Sequence, residues 1–183
     1  MNHLRRISAG IIGVLIAFGL LKAPYASAFS PWYVVGSSGP IWHQPNYYVY
    51  YRWGGNINSG TTYYEGFRQA IADWNNAQGQ RKFIRGGSTA PGALDTYNLA
   101  DGTYGTTNLS GNTSTGSIKA WASKINRWYS KTHTFSGARN TGGHELGHAL
   151  GLHHTNNYAI MNARETGIKM PQSDDIKGIN YIY

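Results

Sequence analysis

The sequence predicts a single α+β domain behind an N-terminal leader. Three observations carry this. A β-rich run, Tyr47 to Trp53, is followed by apolar residues at helical spacing, Phe67, Ala70, Ile71, Trp74 and Ala77, so a strand leads into an amphipathic helix. Further strand-like runs then lead to a histidine-bearing segment, His144 to His154, that reads as a helix ended at a glycine. A short amphipathic pattern closes the chain. Strand, helix, several strands and then two helices, without regular alternation, is an order that suits an α+β domain.

The leader comes first. Arg5 and Arg6 precede an apolar run of fifteen residues, Ile7 to Leu21, and Ala26-Ser27-Ala28 is a small-x-small site. This is the pattern of a secretory signal peptide, with cleavage expected after Ala28. The run is short of the roughly 20 apolar residues that a membrane span needs, so no membrane anchor is expected after cleavage. The expected division is residues 1–28 as signal peptide and 29–183 as one catalytic-size domain, and the protein is expected outside the cell. Loss of Arg5, Arg6 and Lys22 lowers the net charge from +8 to +5. No basic run with interleaved aromatics is present, so nucleic acid is not an expected partner. There are no cysteines, so the core stabilises the domain without disulfides.

Phe29 to Asn46 holds Pro31, Pro40 and Pro45 among aromatics and reads as an extended segment packed on the domain; His43 within it reads as an ordinary surface histidine. Tyr47 to Trp53 is the first strand, ended by Gly54-Gly55. Thr62-x-x-Glu65 has capping-box spacing, and the helix that follows stops near Gly79. Arg81 to Arg85 reads as a second strand and Gly86 to Asp101 as a loop. Asp95 and Asp101 in that loop are candidate calcium ligands, although calcium takes six to eight oxygens. Thr103 to Leu109 and Ile118 to Tyr129 read as strands around a polar loop. Ser130 to Asn140, with a solvated His133, reads as a connection, and the next helix is expected to start near Thr141. Ser173 is the expected N-cap of the last helix. Asp174 and Asp175 suit its positive end, and Ile176, Ile179 and Tyr183 form its buried stripe.

The chemistry lies in His144-Glu145-Leu146-Gly147-His148-Ala149-Leu150-Gly151-Leu152-His153-His154. Two histidines four apart share one face of a helix, one turn apart. Neutral imidazoles at that separation suit zinc, which takes nitrogen ligands in a tetrahedron. Glu145 follows the first of them and sits where a general base for a metal-activated water belongs. A third ligand is needed. A straight helix would aim His154 away, but Gly151 can take positive φ and turn the chain back. His153 competes with His154 as the third ligand; the spacing H-E-x-x-H-x-x-G-x-x-H favours His154 and leaves His153 on the rim. The candidate metal ligands are therefore His144, His148 and His154, and the candidate catalytic residue is Glu145.

This eleven-residue pattern is the metzincin signature, and the chain resembles the matrixins and their bacterial relatives. Ala159-Ile160-Met161 looks like the family's Met-turn, and Ser173 to Ile179 is similar to its C-terminal helix. The resemblance implies a zincin-like domain with a mixed twisted sheet, a cleft, one catalytic zinc, and Met161 beneath the three histidines. It also implies that Thr103 to Leu109 is an edge strand that pairs with an extended peptide. The implied protein is a secreted zinc endopeptidase, monomeric, acting on peptides or proteins. Two alternatives stand beside it: a zinc hydrolase of cell-wall peptide cross-links, and a tyrosine- and tryptophan-rich binding module with a relict zinc site. Departures from the family are plain. No cysteine-bearing propeptide or second, structural zinc loop is evident, and Asn162-Ala163-Arg164 lacks the proline and tyrosine often found after that methionine. The resemblance further implies that a free ammonium on Phe29 would pair with Asp174 or Asp175.

Overall fold

The computed structural model describes residues 29, 31–34 and 39–183; the signal peptide expected at residues 1–28 lies outside the described residues. A five-stranded sheet has the order β2-β1-β3-β5-β4. It is formed by β1 (Tyr48–Trp53), β2 (Lys82–Arg85), β3 (Gly92–Tyr97), β4 (Gly105–Asn112) and β5 (Ser117–Asn126). The first four in that order run parallel, and β4 pairs antiparallel with β5 at one edge. The sheet is thus mixed, as expected. Helices α1 (Thr62–Ala77) and α2 (Phe135–Ala149) pack against each other, α2 also meets β4 and β5, and α3 (Ser173–Ile182) ends the chain.

Period-2 alternation builds the sheet's inner face: Val49 and Tyr51 are buried while Tyr48 and Tyr50 face out. In α1, Phe67, Ala70, Ile71 and Trp74 enter the core as their spacing demands, but Ala77 is exposed. The core continues through Leu94, Ile125, Leu146 and Leu150. Two polar links fix α2 on α1. The Trp74 indole donates to Gly143 O at 2.8 Å, and Arg139 grips the buried Asp73 through both carboxylate oxygens at 2.7 and 2.8 Å. Such a bidentate, largely desolvated pair fixes direction as well as distance.

Five expectations need correction. Residues 86–101 are not all loop: Gly92–Tyr97 is a central strand, paired with β1 on one side and β5 on the other. Helix α2 starts at Phe135, capped by the Thr134 hydroxyl, six residues before Thr141. Strand β5 ends at Asn126, and a 3-10 turn, Ser130–His133, follows. The N-cap of α1 is Thr61, whose hydroxyl accepts from Tyr64 N–H, and Glu65 pairs instead with Arg68 at 2.7 Å. The N-cap of α3 is Gln172, which forms a reciprocal capping box with Asp175; Ser173 is the first helical residue.

Candidate metal centre and active site

Helix α2 places His144 and His148 with ring centroids 4.8 Å apart. It then ends in a Schellman arrangement: Leu152 N–H donates to Gly147 O at 3.1 Å and Gly151 N–H to His148 O at 2.9 Å. Gly151 has φ of +89°, the left-handed conformation this cap requires. A Cβ there would also overlap the Trp42 carbonyl oxygen, because the N-terminal segment lies directly against the turn. The reversal brings His154 back. Its Nε2 is 3.0 Å from Nε2 of His144 and 3.2 Å from Nε2 of His148. Among the described residues these three form the one metal-compatible cluster. His153 is exposed on the rim, its ring 5.3 Å from that of His154.

The donor set fits zinc. The Nδ1 of His144 lies 2.8 Å from Ile160 O, and the Nδ1 of His148 lies 2.8 Å from Leu152 O. A carbonyl only accepts, so each Nδ1 carries the proton and each Nε2 presents a lone pair to the common centre. Lone pairs converging at this range repel unless a cation lies between them. Ligands about 2.0–2.1 Å from a tetrahedral zinc stand roughly 3.3 Å apart, close to the spacings found. Burial pushes the His144 pKa down to about 4, with His154 lowering it further and the Ile160 bond opposing. Burial also holds His148 well below the ordinary histidine value and lowers His154. All three rings are thereby kept in the neutral, ligating form.

Glu145 is buried beside them, and Gly105, at the start of β4, gives its carboxylate room: a Cβ at Gly105 would lie 2.6 Å from Oε1. The Thr107 hydroxyl is 2.8 Å from Glu145 Oε2 and 2.8 Å from Ser123 Oγ. Burial raises the Glu145 pKa to about 8, against the lowering effect of the Thr107 bond; a divalent cation alongside would draw it down again. Thr107 and Ser123 escape sequence reading because no motif marks them. Thr107 comes from β4 and Ser123 from its neighbour β5, and only the packing of these strands on α2 brings them to Glu145.

Met161 is buried and packs on α2 at Gly147, where a Cβ would overlap its sulfur. Asp175 holds this turn, accepting from Ile160 N–H at 2.9 Å and Met161 N–H at 3.1 Å, and from Gln172 N–H at 2.7 Å. Burial raises its pKa despite those three donors. Asp175 is therefore occupied. Asp174 Oδ2 is buried without a hydrogen-bond partner among the described residues, and both aspartates line a small pocket with Phe29.

The calcium candidates do not come together. Asp95 accepts from Asn56 and from Thr96 N–H, and Asp101 from Thr103 and Asn126; calcium is without support here. His133 is exposed, with Nε2 2.8 Å from Arg127 O, and His43 lies 3.0 Å from Ile41 O.

A cleft of about 520 Å³ opens over the triad. Its lining includes Trp32, Thr103 to Thr107, the three histidines, His153 and Arg164 to Thr166. A family model described as Matrixin matches residues 66–183, the span from α1 through the cleft to the end of α3. No curated protein matches the chain.

Proposed function

The chain belongs to the matrixin family of zinc metallopeptidases, and from that premise we propose that it is a secreted zinc endopeptidase in which His144, His148 and His154 hold the metal and Glu145 moves the proton. The observation that carries this reading is the meeting of three Nε2 atoms beside a buried carboxylate, in the lining of a cleft of about 520 Å³. Export is supported by the leader pattern of residues 1–28.

Held by His144, His148 and His154, zinc would make a water acidic near neutral pH and would polarise the scissile carbonyl. Glu145 would accept a proton from the attacking water and pass it to the leaving nitrogen. Thr107 holds Oε2 at 2.8 Å, which leaves Oε1 as the oxygen that carries the proton. The Nδ1 bonds to Ile160 O and Leu152 O lock the rings of His144 and His148, so neither must reorient. Met161 supports them from below by shape. Strand β4 lies at the sheet edge and would add the substrate as a further strand, its backbone giving affinity and the cleft walls selecting side chains.

The test is a mixed peptide library with cleavage sites read by mass spectrometry. The wild-type protein is expected to cut it, a strong chelator to abolish cutting, and added zinc to restore it. Glu145→Ala should retain stoichiometric zinc and lose about 10²–10⁴-fold in rate. Cutting that ignores the chelator, or survives Glu145→Ala at the wild-type rate, would defeat the assignment.

A further inference from the structure

We propose that Trp32 is a specificity-determining residue, its indole forming the wall of the cleft beyond His148 and selecting an aromatic side chain of the substrate there. This rests on the cleft being a peptide site.

Trp32 precedes the sheet by sixteen residues, yet it lines the cleft with the histidines. Its ring centroid lies 5.1 Å from that of His148 at 66°, and 6.0 Å from that of His153 at 73°. These are edge-to-face arrangements, the favoured geometry for rings that carry a negative face and a positive edge.

The backbone explains how a residue so far from the motif arrives there. Trp32 N–H donates to Gly151 O at 2.7 Å, and Trp32 O accepts from Trp42 N–H at 2.8 Å. Pro31 bridges Leu152, and Tyr33 bridges Ile41. The segment is thus a short strand between the metal-binding turn on one side and residues 41–42 on the other. Further along, His43 N–H donates to Gly116 O at 2.9 Å, and Ile118 N–H donates back to His43 O at 2.9 Å. The backbone that carries the indole is thus anchored on both flanks.

The lining of the cleft is chemically uneven. It includes Arg164 and Glu165, and Glu165 forms an ion pair with Lys131. Beside His148 it is aromatic, with the Trp32 ring against those of His148 and His153. A partly exposed indole offers a broad apolar surface with few rotatable bonds, and a substrate ring gains edge-to-face contact beyond simple burial. An aromatic side chain is the complement that uses both. No part of the family's zinc motif or Met-turn contributes this ring; it comes from the N-terminal segment.

The experiment compares the wild-type enzyme with Trp32→Ala and Trp32→Phe. Three things are read for each: the library profile, the KM and kcat of one peptide with a well-placed phenylalanine, and zinc content. Binding of the same peptide is also measured by calorimetry in the uncut background, Glu145→Ala with and without Trp32→Ala. The expected wild-type profile is enriched in aromatic residues at one position on one side of the cut. Trp32→Ala should flatten that position alone, raise KM and the calorimetric Kd roughly 10-fold, and leave kcat and zinc content near wild type. Trp32→Phe should keep most of the preference. An unaltered profile in Trp32→Ala overturns the proposal. So does a fall in kcat or zinc content for every peptide alike, since that marks a purely structural role. No cleavage by the wild-type enzyme would defeat the peptidase reading itself, and this proposal with it.

Discussion

Gly151→Ala tests the geometry on which the metal site rests. Residue 151 sits at φ of +89°, and placing a Cβ in the left-handed region costs roughly 1–2 kcal/mol. A second cost is added by crowding, because the new methyl would overlap the Trp42 carbonyl oxygen. The N-terminal strand would have to retreat, weakening the 2.7 Å bond from Trp32 N–H to Gly151 O, and a typical hydrogen bond contributes about 1 kcal/mol net. Together the loss is about 2–4 kcal/mol. For a domain of this size that lowers Tm by roughly 6–12 °C. The effect on the metal should be larger in proportion. His154 reaches the common centre only through this turn, and zinc held by two histidines in place of three is expected to bind at least about 100-fold more weakly. Differential scanning calorimetry reads the first quantity, and competition against a chromophoric chelator the second. Gly151→Asn separates the two causes, since asparagine tolerates positive φ but keeps the Cβ; it should recover part of the Tm and little of the overlap. If Gly151→Ala keeps wild-type Tm and zinc affinity, the turn is not what brings the third ligand in.

Three further outcomes are expected. Thr107→Val removes the donor that lowers the Glu145 pKa, so the acid limb of the kcat/KM profile should move to higher pH while zinc content stays constant; an unmoved limb would separate Thr107 from the base. Tyr183 donates to Leu150 O at 2.8 Å and accepts from Gln44 N–H at 2.9 Å, and burial pushes its pKa up to about 12. The unfolded tyrosine loses its proton near pH 10 and the folded one two units later, so stability that is present below pH 10 is lost as pH rises through 12, by about 2–3 kcal/mol. Denaturant melts should therefore show the gap between wild type and Tyr183→Phe closing across that window; a constant gap would contradict the buried hydroxyl. One residue added before Phe29 of the processed chain should lower Tm, and Asp174→Asn should abolish the sensitivity; a Tm indifferent to the added residue would mean that Asp174 does not meet the new terminus.

The parts legible in the sequence are those where local pattern and tertiary need agree. The spacing of His144, His148, Gly151 and His154 encodes both a helix face and its reversal, so the meeting of the three rings could be read from it. The alternation of Tyr48 to Trp53 and the Phe67, Ala70, Ile71, Trp74 stripe likewise state their own burial. Strand β3 does not. Gly-Ala-Leu-Asp-Thr-Tyr is poor in β-branched residues, and it becomes a strand because β1 and β5 flank it and pair with it on both edges. The start of α2 was hidden for a related reason: Phe135 to Gly143 is rich in glycine and polar residues, and only Thr134 signals the cap. Trp32, Thr107 and Ser123 reach the site through strand placement, which no short-range pattern reports.

Helix α2 contains four glycines, at 137, 142, 143 and 147, within fifteen residues. Relative to alanine these cost it about 3–4 kcal/mol of intrinsic helicity, so on its own the segment is no helix. It becomes one only when Phe67, Trp74, Ile160 and Met161 close around it. Hydrolytic competence and the native state therefore arrive in a single cooperative step, and a polypeptide still being handled in extended form is chemically inert.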